Sequence, residues 1–245
     1  AMPGRSSRRK QARSKRYRSR ADAAKAMTVQ LLATVCWHIG SGMPACWKLA
    51  SSHGSERQSA IDLLDQLPSK ARLVADAEYV GRPLWSAIIE SKRSFVIRVG
   101  SNIRLLRKLD PSLKRDTEWV YHWPHKSQLK GEPPLLLRLV AVITERGWIY
   151  LLTNEWNLTN QQIAELYQAR WGIEVFFRTV KQDCGKARLQ CRTPENARTE
   201  LSWTLLAIWA SLFVAKRSLH EAKVPLNKLS PTRVIDLLQA AMRDL

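Results

Sequence analysis

The chain has 245 residues, 45% hydrophobic and 25% charged, which supplies one large buried core or two modest ones and excludes bulk disorder. Forty Lys and Arg face 21 Asp and Glu, a formal charge of +19. So large an excess costs stability through self-repulsion unless an anionic partner uses it, and nucleic acid is the first candidate. A solvated basic face is the plainer alternative.

Four cysteines, Cys36, Cys46, Cys184 and Cys191, form no CxxC pair and read as reduced thiols in a cytosolic protein. The uncharged run 201–215 falls short of the roughly 18–20 apolar residues that span a membrane, so it reads as a buried helix. The basic N-terminus has no apolar segment close behind it, so no signal peptide is expected.

Residues 1–28 read as a basic arm. Nine of the first twenty residues are Lys or Arg and none is acidic, a pattern suited to gripping phosphates. Residues 29–39, VQLLATVCWHI, are rich in β-formers and run into a GSGMP turn, with 45–52 as the hairpin partner. Ser55 then precedes a helical pattern carrying Ile61, Leu64 and Leu67, stopped by Pro68. A strand over 71–77, a helix over 81–93 and a strand over 94–100 make a βαβ unit, so part of the sheet should be parallel. Residues 101–154 change character: Trp119, Tyr121 and Trp123 alternate, and two further apolar β runs follow. This reads as a β-rich insertion between two parts of an α/β core. From Thr159, an N-cap, the pattern turns helical. A second helix is predicted over 194–220 and a third from Ser230-Pro231 onward, so 191–245 read as C-terminal helices.

Two places attract chemistry. Asp76 ends a short apolar strand, where open α/β sheets place their ligands. There it serves either as a metal ligand or as a cap on the following turn. On the helix from 159, Tyr167, Arg170, Glu174 and Lys181 fall on one stripe at 3.6 residues per turn. One acid among cations and a phenol suits a metal beside a phosphate; a surface helix laced with ion pairs is the alternative. Trp171, Phe176 and Phe177 are expected to pack this helix on the sheet. His122 and His125 have the spacing of half a zinc site but read as loop residues, and His38 reads as a packed histidine at a strand end.

The segment YQARWGIEVFFRTVK, Tyr167-x2-Arg170-x3-Glu174-x6-Lys181, resembles the YREK signature of bacterial insertion-sequence DDE transposases. LVADAEYVG resembles the second-aspartate strand of that family, SFVIRVGSN the strand after it, and WHIGSGMP with the following SER the family's hairpin and helix entry. The resemblance runs in order over most of residues 29–200. It implies a ribonuclease-H-like mixed sheet with flanking helices, its core split into 29–100 and 155–190 by the insertion.

It further implies two divalent ions, normally Mg²⁺ with Mn²⁺ as a substitute, held by Asp, Asp and Glu. Asp76 would be the second aspartate and Glu174 the glutamate; Tyr167, Arg170 and Lys181 would hold phosphates. The implied partner is double-stranded DNA, gripped at paired ends by a homodimer in the bacterial cytoplasm at the nucleoid. Trp119 and Trp123 are the insertion's candidates for stacking on a displaced base. The departure is the first aspartate, which in this family sits on a core strand before the hairpin. Only Asp22 precedes the hairpin, in a stretch with no strand pattern. The first core strand is therefore expected to be missing, with strands 29–39 and 71–77 lacking their shared neighbour and the chain inactive alone. A non-catalytic DNA-binding remnant is the alternative function, and an unrelated basic RNA-binding protein a third.

Overall fold

The computed structural model describes residues 29–100, 106–108, 119–145, 147–191, 193–225 and 229–243. The basic arm and Asp22 lie outside them. Strands β1 (Leu31–His38) and β2 (Met43–Ser51) form an antiparallel hairpin. Its turn places Gly42 at φ +62°, a left-handed conformation that costs glycine little. His38, expected to be packed, is instead exposed; its Nδ1 meets Ser41 Oγ at 2.8 Å and so braces this turn.

Ser55 caps α1 (Glu56–Leu63), and a short 3₁₀ turn, Leu64–Gln66, carries the chain to Pro68. The βαβ unit follows as β3 (Arg72–Ala75), α2 (Arg82–Glu90) and β4 (Ser94–Val99), with β3 and β4 parallel. Next come β5 (Leu106–Lys108), β6 (Trp119–His122), the short α3 (His125–Leu129), β7 (Leu135–Thr144) and β8 (Gly147–Thr153). These strands are antiparallel to one another, and β8 also pairs with β4. The β-rich stretch therefore continues the sheet of the βαβ unit edge to edge, giving a six-stranded mixed sheet in the order β3-β4-β8-β7-β6-β5. Arg82 at the start of α2 fastens this extension, bonding Glu132 at 3.0 Å and the carbonyls of His122 and Pro133. His122 is a buried strand residue edge-on to Trp85, not a loop residue.

Among the described residues the hairpin shares no backbone pairing with the larger sheet. The two are joined by helices. On one face of the large sheet, Phe95, Ile97 and Val99 of β4 pack with Leu84, Trp85 and Ile88 of α2, and Ile61 of α1 joins them. Val96, pointing the other way by the period-2 alternation of a strand, packs with Val140, Leu151 and Ile163 of α4 (Asn160–Ala169). Below the hairpin, α5 (Trp171–Arg178), α6 (Pro194–Glu221) and α7 (Pro231–Arg243) build a second core around Phe176, Leu205, Ile208 and Leu212. The run 201–215 is buried on one side only: Leu205 and Leu212 are inside, whereas Trp203 and Phe213 are exposed. Among the described residues no helix is long and apolar enough to cross a membrane.

The loop after the helical signature is pinned to α6 through Glu200. Its carboxylate accepts from Lys186 Nζ at 2.7 Å and from the backbone N–H groups of Gln190 and Cys191 at 2.9 and 3.1 Å. The Lys186 ammonium is the main cause that brings its pKa down to about 2. A folded-state pKa below the unfolded value means the contribution is full above about pH 4.5 and is lost as pH falls toward 2. Glu200→Gln is expected to cost roughly 1–3 kcal/mol at pH 7. Thermal melts from pH 7 to pH 2.5 check it: the variant's loss relative to wild type should shrink toward the acid end.

Candidate active site

The predicted helix from 159 is three pieces. Thr159 caps α4 in a reciprocal box with Gln162, at 3.2 and 2.9 Å, as Thr at N-cap and Gln at N3 favour. The helix then breaks at Arg170, resumes as α5 and widens into a π-helical turn over Thr179–Asp183. The expected single stripe is thus interrupted twice, and Lys181 rides on the π turn rather than in α-helical phase with Glu174.

The break has a packing cause. α4 lies on β3, β4 and β7 of the large sheet, whereas α5 lies on β1 of the hairpin. Phe176 of α5 is fully buried with its ring 5.2 Å from Trp37. Gly172 sits directly against Trp37: a Cβ there would lie 2.7 Å from the indole Nε1, closer than van der Waals contact allows. Of the aromatics expected to pack the helix, Phe176 and Phe177 join the hairpin core. Trp171 does not; it is 56% exposed.

At the break, Arg170 Nη2 donates to Glu174 Oε1 at 2.5 Å, and the Arg170 guanidinium lies 5.4 Å from the centre of the Tyr167 ring. Burial works against the Arg170 charge, but the Glu174 hydrogen bond, Tyr167, Glu174 and Asp76 together raise its pKa. Asp76 therefore lies close enough to Arg170 for their charges to interact. Asp76 also caps the 3₁₀ turn Ala77–Tyr79, with Oδ1 accepting from Glu78 N at 3.0 Å. The structure brings Asp76, Tyr167, Arg170 and Glu174 together from β3, α4 and α5. Lys181 places its ammonium 5.9 Å from the centre of the Phe177 ring.

Beside Arg170 is a groove of about 260 Å³, floored by Val142, Ile149 and Leu151 and walled by Tyr167, Arg170 and Trp171. The sequence alone misses this groove, because its floor comes from β7 and β8. Trp119 stacks on Trp156 with ring centres 4.7 Å apart, both partly exposed, and Trp123 is tied by its indole N–H to the Glu132 carbonyl at 2.7 Å.

Hard divalent cations favour carboxylate oxygens, and Asp76 and Glu174 are donors of that kind. Among the described residues, however, no cluster of three or more His, Cys, Asp or Glu side chains could hold a metal. The donors fit in kind and fall short in number.

The transposase DDE domain family matches residues 13–210. The chain belongs to this family. Over 172 residues it is 31% identical to y4zB of Sinorhizobium fredii (strain NBRC 101917 / NGR234), which is named as a transposase; the match covers 67% of this chain and 48% of that protein. Over 114 residues it is 31% identical to a Geobacillus stearothermophilus protein named as a transposase for insertion sequence element IS5377, covering 45% of this chain and 30% of that protein. The chain thus spans half or less of the length of these relatives. The DDE family usually uses divalent metal ions, and the mixed α/β architecture is compatible with a ribonuclease-H-like transposase fold.

Gly172→Ala in this DDE domain must push Trp37 and α5 apart, with an expected cost of about 1–3 kcal/mol from overpacking. The check is a denaturant titration of Gly172→Ala with and without Trp37→Leu: the second substitution should make the alanine markedly less costly than it is alone.

Proposed function

We propose that this chain is the catalytic part of an insertion-sequence transposase, acting on double-stranded DNA by metal-dependent cleavage and strand transfer of the element's ends. The observation that carries the reading is the Arg170–Glu174 ion pair beside the Tyr167 ring at the junction of α4 and α5, with Asp76, about a hundred residues earlier in sequence, within reach of the same guanidinium's charge. In it Asp76 and Glu174 hold divalent metal, Mg²⁺ or Mn²⁺. Such ions, when bound, activate the attacking oxygen and stabilise the leaving oxygen in phosphoryl transfer.

The remaining work falls to the chain's own donors. Arg170, fixed by Glu174 and by the Tyr167 ring, offers its other N–H groups to a phosphate, and the Tyr167 hydroxyl offers one more. Lys181 grips the DNA backbone further along as a point charge. The Trp119–Trp156 stack offers aromatic surface to a displaced base. The charge of +19 supplies the sequence-independent part of the DNA affinity, and two copies act together on paired ends.

A third carboxylate belongs to this reading, on a strand between β1 and β3. Each of these is an edge strand of its sheet among the described residues, and α4 and α5 pack against β3 and β1 respectively. The chain by itself is accordingly expected to bind metal weakly and not to nick DNA.

Mn²⁺ titration followed by electron paramagnetic resonance tests the assignment. Asp76→Ala and Glu174→Ala should each weaken binding at least tenfold, and unchanged affinity in both would overturn the metal assignment. A plasmid bearing the element's ends, incubated with the chain and Mg²⁺, tests the rest. Nicking by the chain alone that Glu174→Ala abolishes would show the acid set to be complete already. DNA binding with neither metal binding nor any sensitivity to these substitutions would favour a non-catalytic DNA-binding remnant.

A further inference from the structure

Cys36 and Cys46 face each other directly across the β1–β2 hairpin. Both are free thiols, and each lies close enough to the other to shift its pKa, that of Cys36 upward and that of Cys46 downward. Residues directly opposed in an antiparallel pair have Cα atoms about 4.5 or 5.5 Å apart, and both spacings fall within the roughly 4.4–6.8 Å that a disulfide spans. The backbone therefore already holds this pair at bonding distance. The pair lies on the hairpin face opposite the core formed by Ala33, Val35 and Trp37, on the side of the half-buried Tyr79. Cys46 is buried and Cys36 half-buried, so a small oxidant has a route through Cys36. The other two cysteines are placed differently: Cys184 packs at the edge of the second core, and the Cys191 thiol is bonded to Glu200.

We propose that Cys36 and Cys46 form a reversible intrachain disulfide, making the hairpin a site of oxidative modification by small-molecule disulfides such as oxidised glutathione. The thiolate of one cysteine attacks a sulfur of the reagent, forming a mixed disulfide and releasing one reagent thiolate. The second cysteine's thiolate then attacks the protein sulfur of that mixed disulfide. The Cys36–Cys46 bond forms and the second reagent thiolate leaves. The two protons lost by the protein end on the two released thiols, so the protein is oxidised by two electrons and the reagent reduced by two. The bridge closes across the irregularity in register between Cys36 and Trp37. Because Trp37 seats Gly172, oxidation stiffens the platform that carries Glu174.

The test treats the full chain with oxidised and reduced glutathione at graded ratios, quenches with iodoacetamide and maps peptides by mass spectrometry. The expected product is the tryptic peptide 26–48 closed by an internal Cys36–Cys46 bond, two mass units lighter than its dithiol form. Cys184 and Cys191 should remain alkylated, and the melting temperature should rise by several degrees and return with dithiothreitol. Cys36→Ser should abolish both the link and the shift. Alkylation of Cys36 and Cys46 at every ratio, a stable glutathione adduct on either, or a link through Cys184 or Cys191 instead would overturn the proposal. The readout involves neither DNA nor metal, so its failure is separable from failure of the transposase reading.

Discussion

Two sheets that share no backbone hydrogen bond among the described residues have to be held in register by side chains alone, and the rest of this structure follows from that constraint. Hydrogen-bonded strands fix each other's positions through a ladder, but among the described residues the hairpin and the six-stranded sheet are joined by helices. The break at Arg170 answers the constraint. α4 must place Ile163 on the large sheet, and α5 must place Phe176 against Trp37 of the hairpin. The helix changes its partner sheet at the break, from β3, β4 and β7 to β1. The chain bends where a guanidinium can be held by Glu174 below and the Tyr167 ring above, so the candidate site sits at the joint itself.

This position gives the site its electrostatic character. Asp76 arrives from the end of β3 and Glu174 from the first turn of α5. Arg170 pairs with Glu174 directly and lies within the influence of the Asp76 charge. Burial of the guanidinium disfavours its charge, while its anionic neighbours more than compensate. Arg170 Nε is buried without a partner among the described residues, a cost that the fold carries at the joint. α1 contributes on the opposite side: Arg57 donates to the Glu78 carbonyl at 3.0 Å, and Lys48 of the hairpin pairs with Asp62. The turn that follows Asp76 is thereby tied to the helix that touches the hairpin.

Most of the individual elements were legible in the chain, because each is decided by a local rule. Thr159 and Ser55 mark helix starts, Pro68 marks a stop, and the nearly unbroken apolar run in SFVIRVG marks a strand buried on both faces. The four-residue signature was legible as well, since its spacing is covalent. What failed to show were the consequences of packing. Trp171 looks like its neighbours Phe176 and Phe177 in the sequence, yet it stays 56% exposed, walling the groove whose floor comes from β7 and β8 instead of joining the hairpin core. His38 and His122 exchange roles for a similar reason: His38 ends its strand at an open turn, while His122 ends its strand beneath Trp85.

The sequence by itself determined the order of strands and helices, the basic charge, the family and the identity of the candidate acids and cations. These depend on composition, periodicity and fixed spacings along the chain. Only the tertiary structure decided that the β-rich stretch extends the parallel pair through β8 on β4, that the signature helix is divided, and that Arg170 pairs with Glu174 at the division. Those outcomes rest on contacts between segments tens to a hundred residues distant. Their strength comes from buried area and shape, which no local pattern encodes.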